Sequence, residues 1–241
     1  MAKIRIDKLL SNMGCGSRSE IKKAAKLGSI KLNDKVEKDT SKIIDSDVDT
    51  ISFDDEVIKY RQYIYLLMNK PQGVVSATFD NLHTTVVDLL PEAYQIYDPF
   101  PVGRLDIDTE GLLVLTNDGK LAHEILSPKR HVDKKYFAEV DGPLGEKEIQ
   151  KFLSGITLDD GYTTLPSKLE ILSSDADRSL CNVTIREGKF HQIKRMFADA
   201  GRKVLFLKRI QMGELKLDPK LQPGELRELN ESEVGLLLGK P

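Results

Sequence analysis

Apolar and polar residues alternate along this chain with two periods, one helical and one of strands. Ile4, Ile6, Leu9 and Leu10 fall at helical spacing, with Arg5 and Lys8 on the polar side, and predict a short amphipathic helix that breaks at Met13-Gly14-Cys15-Gly16. Ser17-Arg18-Ser19-Glu20 reads as a capping box, in which the serine accepts from a free helix N–H and the glutamate reaches back. The helix it opens runs from Ile21 to Leu27 and stops at Gly28, a natural residue for leaving a helix. Ile30-Lys31-Leu32, a turn at Asn33-Asp34, and Val36 predict a small hairpin. Ile51 and Phe53 alternate within the acidic stretch Asp45 to Glu56 and predict one more strand. A boundary is expected near Lys59 to Gln62, giving domains of residues 1–60 and 61–241.

The second region is richer in strands. Tyr63 to Gly73 starts as a β-rich run and is stopped by Pro71 and Gly73. Thr84 to Tyr97 is weakly patterned and interrupted by Pro91. Leu112 to Leu115 is too short for a helix and ends in Asn117-Asp118-Gly119, which is turn chemistry, so it predicts a buried strand. A helix follows at Lys120 to Leu126, a loop at Ser127 to His131, and an alternating strand at Lys134 to Val140. Glu146 to Leu153 has helical spacing ended by Gly155, and Lys168 to Leu172 and Leu180 to Ile185 alternate as strands. Past Gly188 a helix is expected with Ile193, Met196 and Phe197 on one face. A strand at Lys203 to Ile210, a turn at Pro223 to Arg227 and a short helix at Glu231 to Leu238 close the chain. This irregular order, unlike a steady βαβ alternation, predicts an α+β fold rather than a doubly wound sheet.

Composition narrows the function classes. No apolar run reaches the ~18 residues that span a bilayer, and the opening Met1-Ala2-Lys3-Ile4-Arg5 lacks the apolar core of a secretory signal, so a cytoplasmic protein is expected. Cys15 and Cys181 stand far apart, and His83, His123, His131 and His191 show no ligand spacing, so nothing asks for a disulfide framework, a metal or another cofactor. Net charge is −2, yet positive charge is segregated. Residues 1–38 hold ten Lys or Arg against four Asp or Glu, and residues 186–209 hold eight against two. Such patches supply the phosphate-binding part of nucleic-acid affinity even in a slightly acidic chain.

Candidate chemistry gathers around Gly103-Arg104-Leu105-Asp106, a polar loop leading into the buried strand. Taken alone, Asp106 could equally cap a turn through its own backbone. The words Gly103-Arg104-Leu105-Asp106, Thr109-Glu110-Gly111-Leu112-Leu113 and Leu115-Thr116-Asn117-Asp118-Gly119 resemble the signature of the ribosomal RNA pseudouridine synthases, the small-subunit (RsuA-type) members above all. Asn69-Lys70-Pro71 with Gly73, Lys134 with Tyr136, and Glu187 to Phe197 resemble three further motifs of that family. The helix, glycine break, capped basic helix and following strand at the start of the chain are similar to the S4-type RNA-binding domain.

The resemblance implies a small N-terminal S4-like RNA-binding domain followed by a catalytic domain built on a largely antiparallel mixed sheet flanked by helices. It makes Asp106 the catalytic carboxylate, gives Tyr136 the stacking role on the target base, and makes Lys194 the basic partner of Asp106. A lysine cannot make the two-pronged contact of an arginine, which leaves Arg104 as a second possible partner. Arg5, Lys8, Arg18, Lys22 and Lys26 are the side chains expected at RNA phosphates; such contacts position a substrate without choosing a base. Lys70 receives no role. The implied reaction isomerises a uridine of 16S ribosomal RNA, in an assembling small-subunit particle, without cofactor, membrane or obligate protein partner. Three other readings stay open: the same chemistry on 23S ribosomal RNA, a non-catalytic S4-containing assembly factor, and a glycoside hydrolase using Asp108 as second carboxylate.

Overall fold

The computed structural model describes residues 3–127 and 130–238. Contacts divide the chain into two compact units, one of residues 1–64 with 91–98 and one of residues 65–90 with 99–241. In chain order the elements are β1 (Lys3–Arg5), α1 (Ile6–Asn12), α2 (Arg18–Leu27), β2 (Ile30–Leu32), β3 (Lys35–Val36), β4 (Ile43–Asp45), β5 (Ile51–Phe53), β6 (Glu56–Val57), β7 (Tyr65–Lys70), α3 (Glu92–Gln95), β8 (Phe100–Pro101), β9 (Glu110–Thr116), α4 (Gly119–Leu126), β10 (Lys134–Asp141), α5 (Glu146–Ser154), β11 (Lys168–Ser174), β12 (Arg178–Ile185), α6 (Gln192–Asp199), β13 (Val204–Met212), β14 (Leu215–Lys216), β15 (Leu226–Glu228) and α7 (Glu231–Leu237).

In the first unit the capping box forms as the sequence implies. Ser17 accepts from the Glu20 backbone N–H, the Glu20 carboxylate accepts from the Ser17 N–H, and Gly28 closes α2 in the left-handed conformation. Asn33 and Asp34, both at positive φ, make the tight turn between β2 and β3. Ile6, Leu9, Leu10, Ile21, Ala25 and Ile30 are buried in one cluster, so α1 and α2 pack over the small β3-β2-β5-β6 sheet. The expected first helix begins later than its apolar spacing implies. Ile4 lies in β1, paired with Ile44 of β4, because a strand partner from farther along the chain captures that backbone. A tertiary partner of this kind overrides local periodicity.

The second unit is one mixed sheet, ordered β11-β12-β10-β13-β9-β7-β15, with β14 added to β13 and β8 to β9. Every pairing is antiparallel except β13 with β9. That parallel contact is close. Gly111 opposes Arg209, and a Cβ built on Gly111 would lie 2.2 Å from the Arg209 carbonyl oxygen. Gly111 also has φ +107, which L side chains rarely adopt, so only glycine lets the two strands meet here. Leu67, Leu112 and Val114 from the sheet pack with Leu121 and Ile125 of α4 and Leu237 of α7. Phe152 of α5 and Phe197 of α6 meet with ring centroids 5.0 Å apart.

Most predicted strands and helices of this unit are present, several of them longer than the sequence implies. The expected turn at Pro223 to Arg227 is partly wrong, since Leu226–Glu228 is the edge strand β15 paired with β7. Part of the expected loop between Ser127 and His131, at Pro128 and Lys129, lies outside the described residues, as does the segment after Leu238. No helix among the described residues is long and apolar enough to cross a membrane.

Candidate active site

The loop between β8 and β9 carries Arg104, Asp106 and Asp108, and its backbone is fastened from beneath. The Lys70 ammonium, at the end of β7, is completely buried and donates to three carbonyl oxygens: Pro71 at 2.9 Å, Asp106 at 3.1 Å and Thr109 at 3.1 Å. Ser76 Oγ donates to the Leu105 carbonyl and accepts from the Leu105 N–H, both at 3.0 Å. The Gly73 N–H donates to the Ile107 carbonyl at 2.8 Å. Burial, against the pull of Asp106, Asp108 and Glu110, lowers the Lys70 pKa to about 8. An ammonium with three hydrogens matches three acceptors, and that match ties the Asp106 and Thr109 carbonyls to the end of β7 while Ser76 holds Leu105 on the other side of Asp106.

The Asp106 carboxylate faces α6. Lys194 Nζ donates to Asp106 Oδ2 at 3.1 Å and to Asp108 Oδ1 at 2.5 Å, so one cation bridges two carboxylates. Burial alone would lower the Lys194 pKa, but its hydrogen bonds to Asp108 and Asp106 raise it above the ordinary lysine value. Burial opposes ionisation of Asp108, and the Lys194 contact outweighs it and holds that carboxyl below its usual range. The sequence orients Lys194 by burying Gln192, Ile193, Met196 and Phe197 on the opposite side of α6.

The start of α6 adds a group that sequence reading passed over. His191 caps the helix in the left-handed conformation with φ 49°, and its Nε2 lies 3.7 Å from Asp106 Oδ1. The exposed Phe190 ring stacks on that imidazole, with centroids 3.8 Å apart. Gln192 fixes the turn, accepting from the Lys189 N–H and donating to Glu187, both at 2.9 Å.

Asp106, Lys194, His191, Arg104 and Tyr136 line one cleft. Tyr136 is buried on β10, within the sheet that also carries the loop. Arg104 is exposed and makes no ion pair with Asp106 among the described residues, so of the two possible partners the contact goes to Lys194. In the first unit, Lys8, Arg18, Lys22 and Lys26 are exposed. Arg5 differs, because its guanidinium is already engaged by Asp7 through Nε at 3.1 Å and Nη2 at 2.7 Å.

Comparison with known proteins gives this arrangement its context. The model of the RNA pseudouridylate synthase family matches residues 64–199, and that of the S4 domain matches residues 4–49. The chain belongs to the RNA pseudouridylate synthase family. The synthase is 47% identical over 234 residues to YtzG of Bacillus subtilis, an uncharacterized RNA pseudouridine synthase, covering 97% of this chain and 98% of the relative. It is 38% identical over 245 residues to ribosomal small subunit pseudouridine synthase A of Haemophilus influenzae, covering 98% of this chain and all 100% of the relative. A solved pseudouridylate synthase superposes with TM-score 0.68 at 36% identity, covering 97% of this chain and 99% of that one. With its S4 domain and these relatives, the synthase is an RsuA-type enzyme that isomerises uridine in RNA.

Lys70 and His191 were not assigned from sequence. Lys70 had a signal: a charged residue closing an apolar run that proves wholly buried. His191 stood within the Glu187 to Phe197 family word without a role, since its left-handed backbone and its distance to Asp106 depend on how α6 is seated.

Proposed function

We propose that the synthase isomerises a uridine of 16S ribosomal RNA, in an assembling small-subunit particle, with Asp106 as the reacting carboxylate. The observation that carries this reading is the Asp106–Lys194 contact at 3.1 Å, in a cleft it shares with an aromatic ring, Tyr136. The target class is supported by full-length similarity to small-subunit synthases.

The reaction breaks the bond between uracil N1 and ribose C1′, forms one between C5 and C1′, releases the C5 hydrogen as a proton and places a proton on N1. It is an isomerisation, with no net oxidation. A carboxylate can serve as nucleophile toward C1′ or uracil C6, or it can take the ribose C2′ proton so that a glycal forms as N1 leaves C1′. Each route needs Asp106 fixed beside the ribose. The Lys70 clamp fixes its backbone and Lys194 fixes its side chain. The uridine must leave its helical stack to reach the cleft, and the Tyr136 ring supplies a surface to receive the base. Lys8, Arg18, Lys22 and Lys26 on the S4 unit serve as phosphate contacts that hold the substrate.

The test follows the C5 hydrogen. Ribosomal RNA labelled with tritium at uridine C5 is incubated with the synthase as naked 16S RNA, as 30S-assembly particles, and as 23S RNA. Tritium release from the small-subunit substrates alone supports the proposal. Release from 23S RNA alone moves the target and keeps the chemistry.

A further inference from the structure

A second cavity of about 420 Å³ adjoins the Asp106 cleft and shares Arg104, Tyr136 and Lys189 with it. Its remaining lining includes Lys134, Arg186 and Arg209. Among the described residues the lining has one carboxylate, Glu187, and it is already engaged: Tyr162 Oη and the Leu165 N–H donate to it, as does Gln192. The cavity is therefore cationic, and its size falls in the range of ~300–1,000 Å³ typical of ligand sites.

Two of its cations are unusual. Arg209 is 1% exposed, its Nε donates to the Leu112 carbonyl at 2.7 Å, and its buried Nη2 has no hydrogen-bond partner among the described residues. A guanidinium stays charged at any physiological pH, and a buried charge without a counter-ion is strongly unfavourable. Lys134 is pressed by the same surroundings: burial first, then the neighbouring Arg209, push its pKa down to about 8 against the pull of Asp133 and Glu187. Among the described residues its Nζ makes one hydrogen bond, to the Val132 carbonyl at 3.1 Å, which leaves donors for a ligand. Tyr136 and Arg209 are direct cross-strand neighbours on β10 and β13, which ties this cavity to the cleft.

We propose that this cavity binds one phosphodiester of the RNA strand, adjacent to the uridine held at Asp106, through Arg209 and Lys134. A neutral base carbonyl would satisfy one donor and add no negative charge to a lining whose cations outnumber Glu187, whereas a phosphodiester supplies a full negative charge and two acceptor oxygens. The contact grips the backbone next to the target, so that the uridine can be extruded without the strand sliding. The inference rests on the reading that the target uridine occupies the Asp106 cleft.

The probe is a short oligouridylate, with binding measured against salt concentration for the wild type, Lys134→Met, Arg209→Met, Arg209→Lys and Asp106→Ala. Loss of one phosphate contact should lower affinity about tenfold and flatten the log–log salt dependence by about 0.7. Lys134→Met is expected to show both changes while unfolding at a temperature no lower than wild type, since it removes a charge that burial disfavours. Arg209→Met also loses the bond to Leu112, so Arg209→Lys, which keeps the charge, is its control and should retain the slope. In ¹⁵N-lysine spectra the oligouridylate should raise the Lys134 titration midpoint, and uridine nucleoside should not. Unchanged affinity and slope in Lys134→Met, or a midpoint that nucleoside moves equally, overturns the phosphate subsite. Failure of the uridine reading shows elsewhere, as tritium release that survives in Asp106→Ala, and is independent of the slope.

Discussion

Lys194 Nζ stands 3.1 Å from Asp106 Oδ2, joining residues 88 apart in sequence, and the same ammonium holds Asp108 at 2.5 Å. The pair is the meeting point of two devices, a loop clamped from below and a helix anchored by its apolar face. Removing the cation leaves Asp106 without its strong partner and, among the described residues, with His191 at 3.7 Å as its remaining ion-pair neighbour. Lys194→Met is therefore expected to reduce single-turnover rate about 100-fold, the scale on which misplacement of a reacting group is felt. Lys194→Arg should restore part of the rate, because guanidinium also pairs with carboxylates. Equal rates in wild type and Lys194→Met would show that the pair does not matter to chemistry.

The β9–β13 crossing makes Gly111 a stability determinant. A methyl group there meets the Arg209 carbonyl at 2.2 Å and the residue keeps φ +107. Overpacking and left-handed strain each cost about 1–3 kcal/mol, so Gly111→Ala should lose roughly 3 kcal/mol or more in urea unfolding. An unfolding midpoint equal to wild type would mean that the strands can separate without penalty.

Lys70 connects the loop to pH. Its pKa in the folded chain is lowered to about 8 from an ordinary value of 10.5, with burial as the largest cause. The folded chain thus releases this proton before the unfolded chain does. Charged Lys70 costs stability below pH 8, and the cost lifts as pH rises from about 8 toward 10.5. Neutral Lys70, however, has two hydrogens for three carbonyl acceptors, so the clamp on Asp106 loosens as it deprotonates. Across pH 8 to 10, activity is expected to fall while the Lys70 contribution to stability rises, measured as the unfolding difference between wild type and Lys70→Met. If that difference were flat with pH, Lys70 would not titrate in this window.

Much of this was readable from the chain. The capping box at Ser17 and the turn at Asn33-Asp34 are local devices whose partners lie within a few residues, and both are where their chemistry puts them. The buried run Leu112 to Leu115 became β9 because its length and the turn after it suit a strand, although its partners β7 and β13 lie far along the chain. What escaped depended on distant partners. Ile4 follows helical spacing but pairs with Ile44, and Leu226–Glu228 looked like a turn until β7 offered its edge. In the site, Asp106, Tyr136 and Lys194 stood out through the family words, and the structure brings them to one cleft. Arg104, proposed there as an alternative partner, lines the cleft without pairing to Asp106. Arg5, expected at phosphate, is engaged by Asp7, two residues away. Lys70 stood in a family word without a role and Arg209 was not singled out, because the significance of both lies in being buried, which their charge argues against.

The most direct test of the central claim is a pseudouridine map of both ribosomal RNAs from cells lacking this gene, complemented with wild type or with Asp106→Ala. The expected result is loss of a single 16S pseudouridine in the deletion strain, restored by wild type and not by Asp106→Ala, even though the variant protein is folded and present. Restoration of that site by Asp106→Ala would contradict the assignment of Asp106, and intact pseudouridine at every position in the deletion strain would contradict ribosomal RNA as the substrate.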